Sequence, residues 1–385
     1  MWCCSWWRAP NRLQIGGKLL EVIGAVLAAA ETERADAALR EALRESNFSP
    51  SERATVTRLV FAYFRWLGWI DRSKSLRGIL EHVNDLVERF ASEPNAFSND
   101  ELVERALPGW AREVTDLSAA TVRTFQEPPR LWLRARPGTG KELAAALGHC
   151  AEHPNVADAI EFQGEEDLFR SAEFHGGKFE VQDLSSQAVG HVCAPRPGET
   201  WWDACAGEGG KTLHLCDLMA NRGIVWASDR AEWRLAKLKR RAARAKVFNY
   251  RVKAWTDKER LPTKTKFDGV LVDAPCSGVG TWGRNPHARW TTTLNDVNDL
   301  GALQRELLHK IADSVKPGGK LVYAVCTTTR RETTGVAEDF GRRHSEFEAM
   351  EFLHPVSGIG SSGVVMLKPE ETQANGMFMG AWRRS

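Results

Sequence analysis

Two cysteines and an aspartate follow apolar runs that have the composition of buried strands. Asp273 and Cys276 stand in the string Asp-Ala-Pro-Cys-Ser-Gly, and Cys326 closes the run Val-Tyr-Ala-Val-Cys. A thiolate is a strong nucleophile, and a neighbouring carboxyl group can hold a proton or a polar ring atom. One cysteine at a strand end is more often an inert apolar residue. Two of them at neighbouring strand ends, one beside an aspartate, are less easily dismissed as inert, because a thiol can also act as a nucleophile.

A glycine-rich segment, Asp203-Ala-Cys-Ala-Gly-Glu-Gly-Gly-Lys-Thr212, follows another apolar run. Glycines at such a place let backbone N–H groups approach a ligand closely. The end of the segment fits a phosphate-binding P-loop, with Asp273 as its magnesium ligand, but the first glycine of that motif falls at Cys205.

The other interpretation of this segment is a loop for S-adenosylmethionine. Such a loop needs an acidic residue about 20 residues further on, which binds the ribose hydroxyls. Asp229 meets that spacing. It could equally cap the helix that follows it, and both interpretations of Asp229 stay open.

These residues lie in a region, 199–385, in which predicted strands and helices alternate. Strands are predicted at 200–204, 223–228, 267–272 and 319–325, with helices at 231–245 and 299–315 between them. The alternation predicts an α/β domain with a mainly parallel, doubly wound sheet, whose ligands bind at the carboxyl ends of the strands. Every motif above falls at such an end.

The residues before this domain divide into a helical region and a mixed region. Good helix formers fill 19–46, Ser49-Pro-Ser-Glu52 has the pattern of a capping box, and apolar residues from Val56 to Leu67 follow at helical spacing. After Pro128-Pro129, a strand at 131–134, a helix at 140–147 and strands at 159–162 and 178–181 predict a small α+β segment.

We therefore predict four parts of the chain. They are a tail at 1–12 that we expect to be disordered, an all-helical domain at 13–125, the small α+β segment at 126–198 and the catalytic domain at 199–385.

The composition is ordinary for a folded soluble protein. The chain has 385 residues, 26% of them charged, and a formal net charge of +2, which says little about its partners. The eight cysteines are scattered and form no CxxC pair, so we expect reduced thiols in the cytoplasm and no metal. No apolar run approaches the ~18–20 residues of a membrane span, and nothing implies an oligomer.

Together these motifs resemble those of the RsmB/NSUN family of RNA (cytosine-5) methyltransferases. The Asp-Ala-Pro-Cys-Ser-Gly string is very specific, and the similarity also runs through 179–186, 203–212, 273–290 and 316–326. Residues at about 15–90 resemble the NusB-like helical domain of the bacterial 16S ribosomal RNA branch. The resemblance implies a Rossmann-like class I methyltransferase domain, S-adenosylmethionine as cofactor and RNA, of the 16S ribosomal type, as partner.

The resemblance also implies a role for each site residue. Cys326 attacks carbon 6 of cytosine, Asp273 holds ring nitrogen 3, Lys211 supports that network, and Cys276 aids product release. DNA cytosine methyltransferases carry their nucleophile in a Pro-Cys motif, so an attack by Cys276 stays open. The residues expected to contact the cofactor are Cys205, Ala206, Gly207, Glu208, Gly209, Gly210, Lys211, Asp229, Arg234 and Asp273.

The chain departs from the family pattern in four places. Gly207-Glu208 replaces Ala-Pro, Val325-Cys326-Thr327 replaces Thr-Cys-Ser, Trp255 stands where an acidic residue is expected unless Asp257 serves, and Asn375-Gly-Met-Phe378 replaces an Asp-Gly-Phe-Phe-like strand. The changes at Glu208 and Trp255 affect the expected cofactor contacts and leave both cysteines in place.

A basic helix follows Asp229. Its cationic residues are Arg230, Arg234, Lys237, Lys239, Arg240, Arg241, Arg244 and Lys246. Such a run is usually a solvated helix face, but beside an active site it can also contact RNA phosphates, and both interpretations stay open. Two rival functions also stay open: an RNA-binding or assembly protein that kept the fold without activity, and a P-loop ATPase.

Overall fold

The structure, a computed structural model, describes residues 15–256, 261 and 263–385. The predicted tail at 1–12 and the alternative acidic residue Asp257 lie outside these residues. The chain divides into two compact units: residues 130–280 with 295–385, and the residues up to 129 with 281–294. Within the described part of the chain, no helix combines the length and apolarity that a bilayer crossing requires.

The second of these units is helical, as predicted. Its helices are α1 (Gly17–Ala29), α2 (Ala35–Glu45), α3 (Pro50–Arg65), α4 (Leu76–Ser92), α5 (Asn99–Ala106), α6 (Gly109–Val114) and α7 (Ala119–Gln126). The capping box of α3 is confirmed, because Glu52 N donates to Ser49 Oγ at 3.3 Å and Ser49 N donates to Glu52 Oε2 at 2.7 Å. Val56, Leu59, Val60 and Phe64 of the predicted apolar stripe are buried, and its other members Tyr63 and Leu67 are partly buried.

Residues 281–294, which the sequence places in the catalytic domain, pack with these helices instead. The fully buried Arg289 donates from Nη1 to the carbonyl of Ala106 at 3.1 Å, and Trp290 Nε1 donates to the carbonyl of Phe64 at 2.7 Å. Both carbonyls lie in the last turn of a helix, where no partner exists within the helix itself. These side chains therefore satisfy helix ends, a role that only the three-dimensional structure makes visible.

The other unit begins with a small antiparallel sheet. Its elements are β1 (Leu131–Ala135), α8 (Gly140–Leu147), β2 (Cys150–Glu152), β3 (Ala159–Phe162), α9 (Ala172–His175), β4 (Phe179–Val181) and α10 (Leu184–Cys193). The strand order is β2-β3-β1-β4. The sequence predicts all of these strands except β2, which is three residues long and lacks a buried apolar face.

The remaining elements form the large sheet, the helices around it and a separate two-stranded sheet. They are β5 (Thr200–Asp203), α11 (Gly210–Leu218), β6 (Ile224–Asp229), α12 (Glu232–Arg244), β7 (Tyr250–Ala254), β8 (Phe267–Asp273), α13 (Ala288–Thr291), α14 (Leu294–Ala312), β9 (Val315–Val325), α15 (Thr334–Arg343), β10 (Phe347–Ala349), β11 (Phe352–Leu353), β12 (Gly360–Ser361), β13 (Val364–Leu367), α16 (Pro369–Thr372) and β14 (Met377–Arg384). Of these, β11 and β12 form the two-stranded sheet, and α13 lies in the stretch 281–294 that packs with the helical unit.

The order of the large sheet is β10-β14-β9-β8-β5-β6-β7, with β13 also paired to β14. The strands from β9 to β7 are parallel, and β14 runs antiparallel beside β9. Trp201 and Trp202, neighbours on β5, are both fully buried in different apolar clusters on the two faces of the sheet. The predicted mainly parallel, doubly wound α/β sheet is therefore confirmed.

Two predicted boundaries are wrong. The helix predicted at 299–315 is α14, which ends at Ala312, and the strand predicted from Gly319 begins at Val315. Lys316-Pro-Gly-Gly319 has the composition of a turn, but it lies inside β9. An irregularity in the pairing accommodates it, since Phe267 pairs with Val315 whereas Gly269 pairs with Lys320.

Candidate active site

The structure brings both cysteines together at the carboxyl ends of neighbouring parallel strands. β8 leads to Asp273 and Cys276, and β9 leads to Cys326. The two Sγ atoms lie 3.4 Å apart, within hydrogen-bonding distance for sulfur. The Gly280 amide donates to the Cys326 carbonyl at 3.1 Å, so the segment after Cys276 also fixes the backbone at Cys326.

Lys211 joins this group from the first turn of α11. Its Nζ donates to Asp273 Oδ2 at 2.7 Å, with the lysine side chain buried and the aspartate about one-third exposed. Burial opposes the charge on Lys211, but the Asp273 carboxylate outweighs it, so the pKa of Lys211 lies above its usual value. A cation and an anion thus line the cleft that contains the thiols.

The two sulfurs differ in the protonation state that their surroundings favour. The hydrogen bond from Cys276 is the main cause that lowers the pKa of Cys326; burial and Asp273 oppose it, and Lys211 adds to it. The same hydrogen bond, burial and the charges of Cys326 and Glu332 raise the pKa of Cys276 well above its usual value. The pair therefore favours a Cys326 thiolate that accepts a hydrogen bond from the neutral thiol of Cys276.

The glycine loop connects β5 to α11 and lies against Asp229. Gly207 N donates to Asp229 Oδ2 at 2.9 Å, and Ala231 N donates to Asp229 Oδ1 at 2.9 Å. Asp229 therefore contacts both the loop and the start of the next helix, as the two interpretations of its sequence position require. Gly209 has a φ of +87°, and a Cβ there would lie 2.4 Å from Leu238 Cγ, so only glycine fits this turn.

The remaining loop residues surround this turn. Cys205 and Ala206 follow β5, and Ala206 N donates to the Ser228 carbonyl at 2.8 Å. Gly210 begins α11, and Arg234 Nη1 lies 3.3 Å from Asp229 Oδ2. All the predicted loop residues thus lie around the carboxyl ends of β5 and β6.

The two unusual residues near the loop have structural partners. Glu208 pairs with Lys237 of α12 at 2.7 Å. Trp255 is buried, packs edge to face against Trp202 with ring centroids 5.3 Å apart, and donates its backbone N–H to the Asp229 carbonyl at 3.1 Å. Trp255 is thus a core residue behind the loop.

Asp203 and Thr212 form a buried pair beneath the loop. Thr212 Oγ1 donates to Asp203 Oδ2 at 2.6 Å, and both side chains are fully buried. Within the described chain Asp203 Oδ1 has no hydrogen-bond partner, and burial raises the pKa of Asp203 to about 7. A P-loop needs this threonine hydroxyl on a magnesium ion, so its burial against Asp203 argues against the ATPase interpretation.

Half of the basic helix residues are paired with carboxylates. Arg241 and Arg244 contact the buried Glu180 at 2.9 and 2.7 Å, and Arg234 and Lys237 contact Asp229 and Glu208. The other four residues have no such ion pair in the described structure; they are Arg230, Lys239, Arg240 and Lys246, all exposed. The phosphate-contacting ridge therefore stays a prediction, and these four exposed residues are its strongest candidates.

One residue of the site was missed. Glu332 lies six positions after Cys326, fully buried, and its carboxylate binds the residues that follow both cysteines. Its surroundings in the sequence, Thr-Thr-Arg-Arg-Glu-Thr-Thr, are those of an exposed polar loop. No local pattern could have indicated a buried carboxylate there.

The chain is similar to a known protein family and to solved structures. The family model described as 16S rRNA methyltransferase RsmB/F matches residues 191–383. A Synechocystis protein named "Probable ribosomal RNA small subunit methyltransferase B" is 30% identical in an alignment of 336 positions, gaps included, that covers 80% of this chain and 75% of that protein. Two solved structures share the fold. PH0851 has a TM-score of 0.81 at 23% identity and covers 97% of this chain and 100% of its own. A methyltransferase homolog protein from Pyrococcus horikoshii has a TM-score of 0.61 at 25% identity, with 69% and 90% covered.

Proposed function

The chain belongs to the 16S rRNA methyltransferase RsmB/F family, and from this we propose that it methylates carbon 5 of a cytosine in RNA. The methyl donor is S-adenosylmethionine, and the RNA is ribosomal RNA of the 16S type. The observation that carries the proposal is the contact of the Cys276 and Cys326 sulfurs beside the Lys211–Asp273 pair. We further propose that the helical unit is NusB-like and binds RNA, and that the protein acts in the cytoplasm.

The residues around the glycine loop fit S-adenosylmethionine, which supplies an electrophilic methyl group. Asp229 is buried at the end of β6, and its Oδ1 accepts only one bond from the described residues, which leaves acceptor capacity for a ribose hydroxyl. The unpartnered Asp203 Oδ1 lies under the same loop. The exposed Arg234 side chain can leave Asp229 at little cost, because a partly exposed ion pair contributes little free energy.

Cys326 supplies the nucleophile that activates the base. Carbon 5 of cytosine is a weak nucleophile, and addition of the thiolate to carbon 6 forms an S–C bond and moves the ring electrons towards carbon 5 and nitrogen 3. Ring nitrogen 3 takes a proton from solvent as charge develops there and releases it when the aromatic ring re-forms. Its N–H donates to the Asp273 carboxylate, which Lys211 holds in place. The electron pair at carbon 5 then takes the methyl group, and the bond between that methyl carbon and the sulfonium sulfur breaks with its electron pair left on sulfur.

Cys276 assists the return to an aromatic ring. After methylation the proton on carbon 5 leaves to a base, the electron pair forms the carbon 5–carbon 6 double bond, and the bond to Cys326 Sγ breaks. The Cys276 thiol, 3.4 Å from the leaving sulfur, is placed to give its proton to that sulfur or to relay the proton from carbon 5. The target base must be turned out of the RNA stack to reach this cleft.

The test is transfer of labelled methyl groups from S-adenosylmethionine to unmodified ribosomal RNA. Wild type, Cys326→Ala and Cys276→Ala are compared, with a denaturing gel that detects covalent adducts. We expect labelling by wild type, neither labelling nor adduct for Cys326→Ala, and an RNA adduct for Cys276→Ala. The opposite pattern would assign the attack to Cys276. A wild-type protein that binds S-adenosylmethionine and RNA but transfers no methyl group would favour the non-enzymatic alternative.

A further inference from the structure

The buried carboxylate of Glu332 binds groups from both cysteine-bearing loops. Oε1 accepts from the backbone N–H of Ser277 at 2.8 Å, and Oε2 accepts from the Ser277 hydroxyl. Oε2 also lies 3.2 Å from the hydroxyl of Thr327. Ser277 directly follows Cys276, and Thr327 directly follows Cys326. One side chain therefore contacts the neighbour of each sulfur.

Other bonds fix Glu332 in place. Thr329 Oγ1 donates to Oε2 at 2.7 Å, and Gln304 Nε2 on α14 donates to Oε1 at 3.1 Å. The same Gln304 amide donates to the Pro275 carbonyl at 2.8 Å. The Tyr323 hydroxyl lies 2.6 Å from the Glu332 carbonyl oxygen.

This carboxylate has no cation as a partner among the residues that the structure describes, although it is fully buried. Burying a charge is costly unless hydrogen bonds compensate it, and here neutral hydroxyl and amide groups supply all the compensation. The Ser277 and Thr327 hydroxyls also contact each other at 2.9 Å, which joins the two loops a second time. An apolar side chain would fill the same space without binding both loops.

We infer that Glu332 is a positioning residue for the methyl transfer proposed above, and that it sets the contact between the Cys276 and Cys326 sulfurs by holding Ser277 and Thr327. This inference rests on the proposed function for its catalytic meaning. The geometry gives Glu332 a second effect, because its negative charge lies near Cys276 and contributes to the raised pKa of that thiol. Cys276 thus keeps its proton and donates to Cys326.

The first measurement uses the free protein and no RNA. Wild type, Glu332→Gln and the control Glu338→Gln, an exposed position on α15, react with iodoacetamide at pH 7.5, and peptide mass spectrometry gives the alkylation rate of each cysteine. We expect the ratio of Cys326 to Cys276 alkylation to fall by about fivefold or more in Glu332→Gln, because the charge that favours a neutral Cys276 is gone. The control keeps the wild-type ratio.

The second measurement is methyl transfer by the same proteins. Displacement of a reacting group by about 1 Å can cost about 10²-fold in rate, so we expect kcat to fall by about that factor in Glu332→Gln. The KM for RNA and the Kd of S-adenosylmethionine should stay within about twofold, because the fully buried Glu332 side chain is out of reach of both ligands. A Glu332→Gln protein with the wild-type alkylation ratio and kcat overturns the inference.

A matched pair at Thr327 decides the matter if Glu332→Gln does not fold. Thr327→Ser keeps the hydroxyl that contacts Glu332, so the alkylation ratio should stay the same. Thr327→Val keeps the shape of the side chain but loses that hydroxyl, so the ratio should fall. Equal ratios in both variants overturn the inference. The variants could change the alkylation ratio although wild type methylates no RNA. That result would contradict the proposed function alone and would leave the positioning role of Glu332 standing.

Discussion

The Cys276 and Cys326 sulfurs lie 3.4 Å apart, and the direction of their hydrogen bond decides which one is the nucleophile. The lowered pKa of Cys326 predicts that its thiolate persists below the ordinary cysteine pKa of about 8.5. The alkylation rate of Cys326, followed from pH 5.5 to 9.5, should therefore reach half its maximum below that pH. In Cys276→Ala the donor is lost, so the midpoint should move to higher pH. A midpoint that is unchanged or moves down would contradict this direction of the bond.

Removing the acidic residue at the end of β6 should weaken cofactor binding. Asp229→Asn replaces one acceptor oxygen by an amide that faces the Gly207 N–H, so the loop and the ribose hydroxyl both lose a charged acceptor. We expect the Kd of S-adenosylmethionine to rise about 10- to 100-fold in isothermal titration calorimetry. Asp299→Asn, at an exposed position on α14, is the control and should bind like wild type. Equal affinities would leave Asp229 as a helix cap only.

The buried Glu180 on β4 should be a large contributor to stability. It pairs with Arg136, Arg241 and Arg244, so Glu180→Gln leaves Arg241 and Arg244 without a charged partner, whereas Arg136 keeps Asp217. We expect a loss of about 3–5 kcal/mol in the free energy of unfolding by urea. The control is Glu371→Gln, whose partner Lys368 is half exposed. This substitution should change the free energy of unfolding by less than about 0.5 kcal/mol.

The same ion group has a defined pH dependence. Burial raises the pKa of Glu180, but Arg241 and Arg244 outweigh it, so its folded-state pKa lies below the usual value. The stabilisation is therefore fully present above the unfolded pKa of about 4.3 and is lost as the pH falls through the lower folded value. The free energies of unfolding of wild type and Glu180→Gln should thus differ most at neutral pH and become similar in acid. A difference that grows in acid would contradict this assignment.

The exposed cations that have no ion pair among the described residues, in α12 and just before it, should contact RNA. We expect charge reversal at Arg230, Lys239 and Arg240 to weaken RNA binding and to flatten its dependence on salt, because fewer counterions are released. Binding is measured in a salt titration, and Lys141→Glu on α8 is the control for a single reversed charge. Unchanged binding with an unchanged slope would mean that these residues form a solvated helix face.

The fold could be predicted largely because its signals are local. The Ser49–Glu52 capping box and the apolar runs of β5 and β8 depend on residues near one another in the chain. That Asp273, Cys276 and Cys326 lie together could be predicted because parallel strands present their carboxyl ends at one edge of the sheet. Lys211 could be placed there because it begins the helix after β5.

What could not be predicted depends on distant partners. Arg241 and Arg244 look like free cations until the fold places Glu180 beside them. Arg289 and Trp290 follow a catalytic motif in sequence but satisfy carbonyls of α5 and α3. Glu332 lies in a polar stretch, and only the packing of α14 against both loops makes it a buried acceptor.

The position of β14 has a consequence for how the protein is made. β14 covers the side of β9 that does not face β8, and its residues are translated well after Cys326. Until residues 377–384 have been synthesised, β9 is an edge strand with unpaired backbone groups, and such edges pair readily with other chains. A ribosome that stalls between these two strands would hold a nascent chain with a thiol at an open sheet edge.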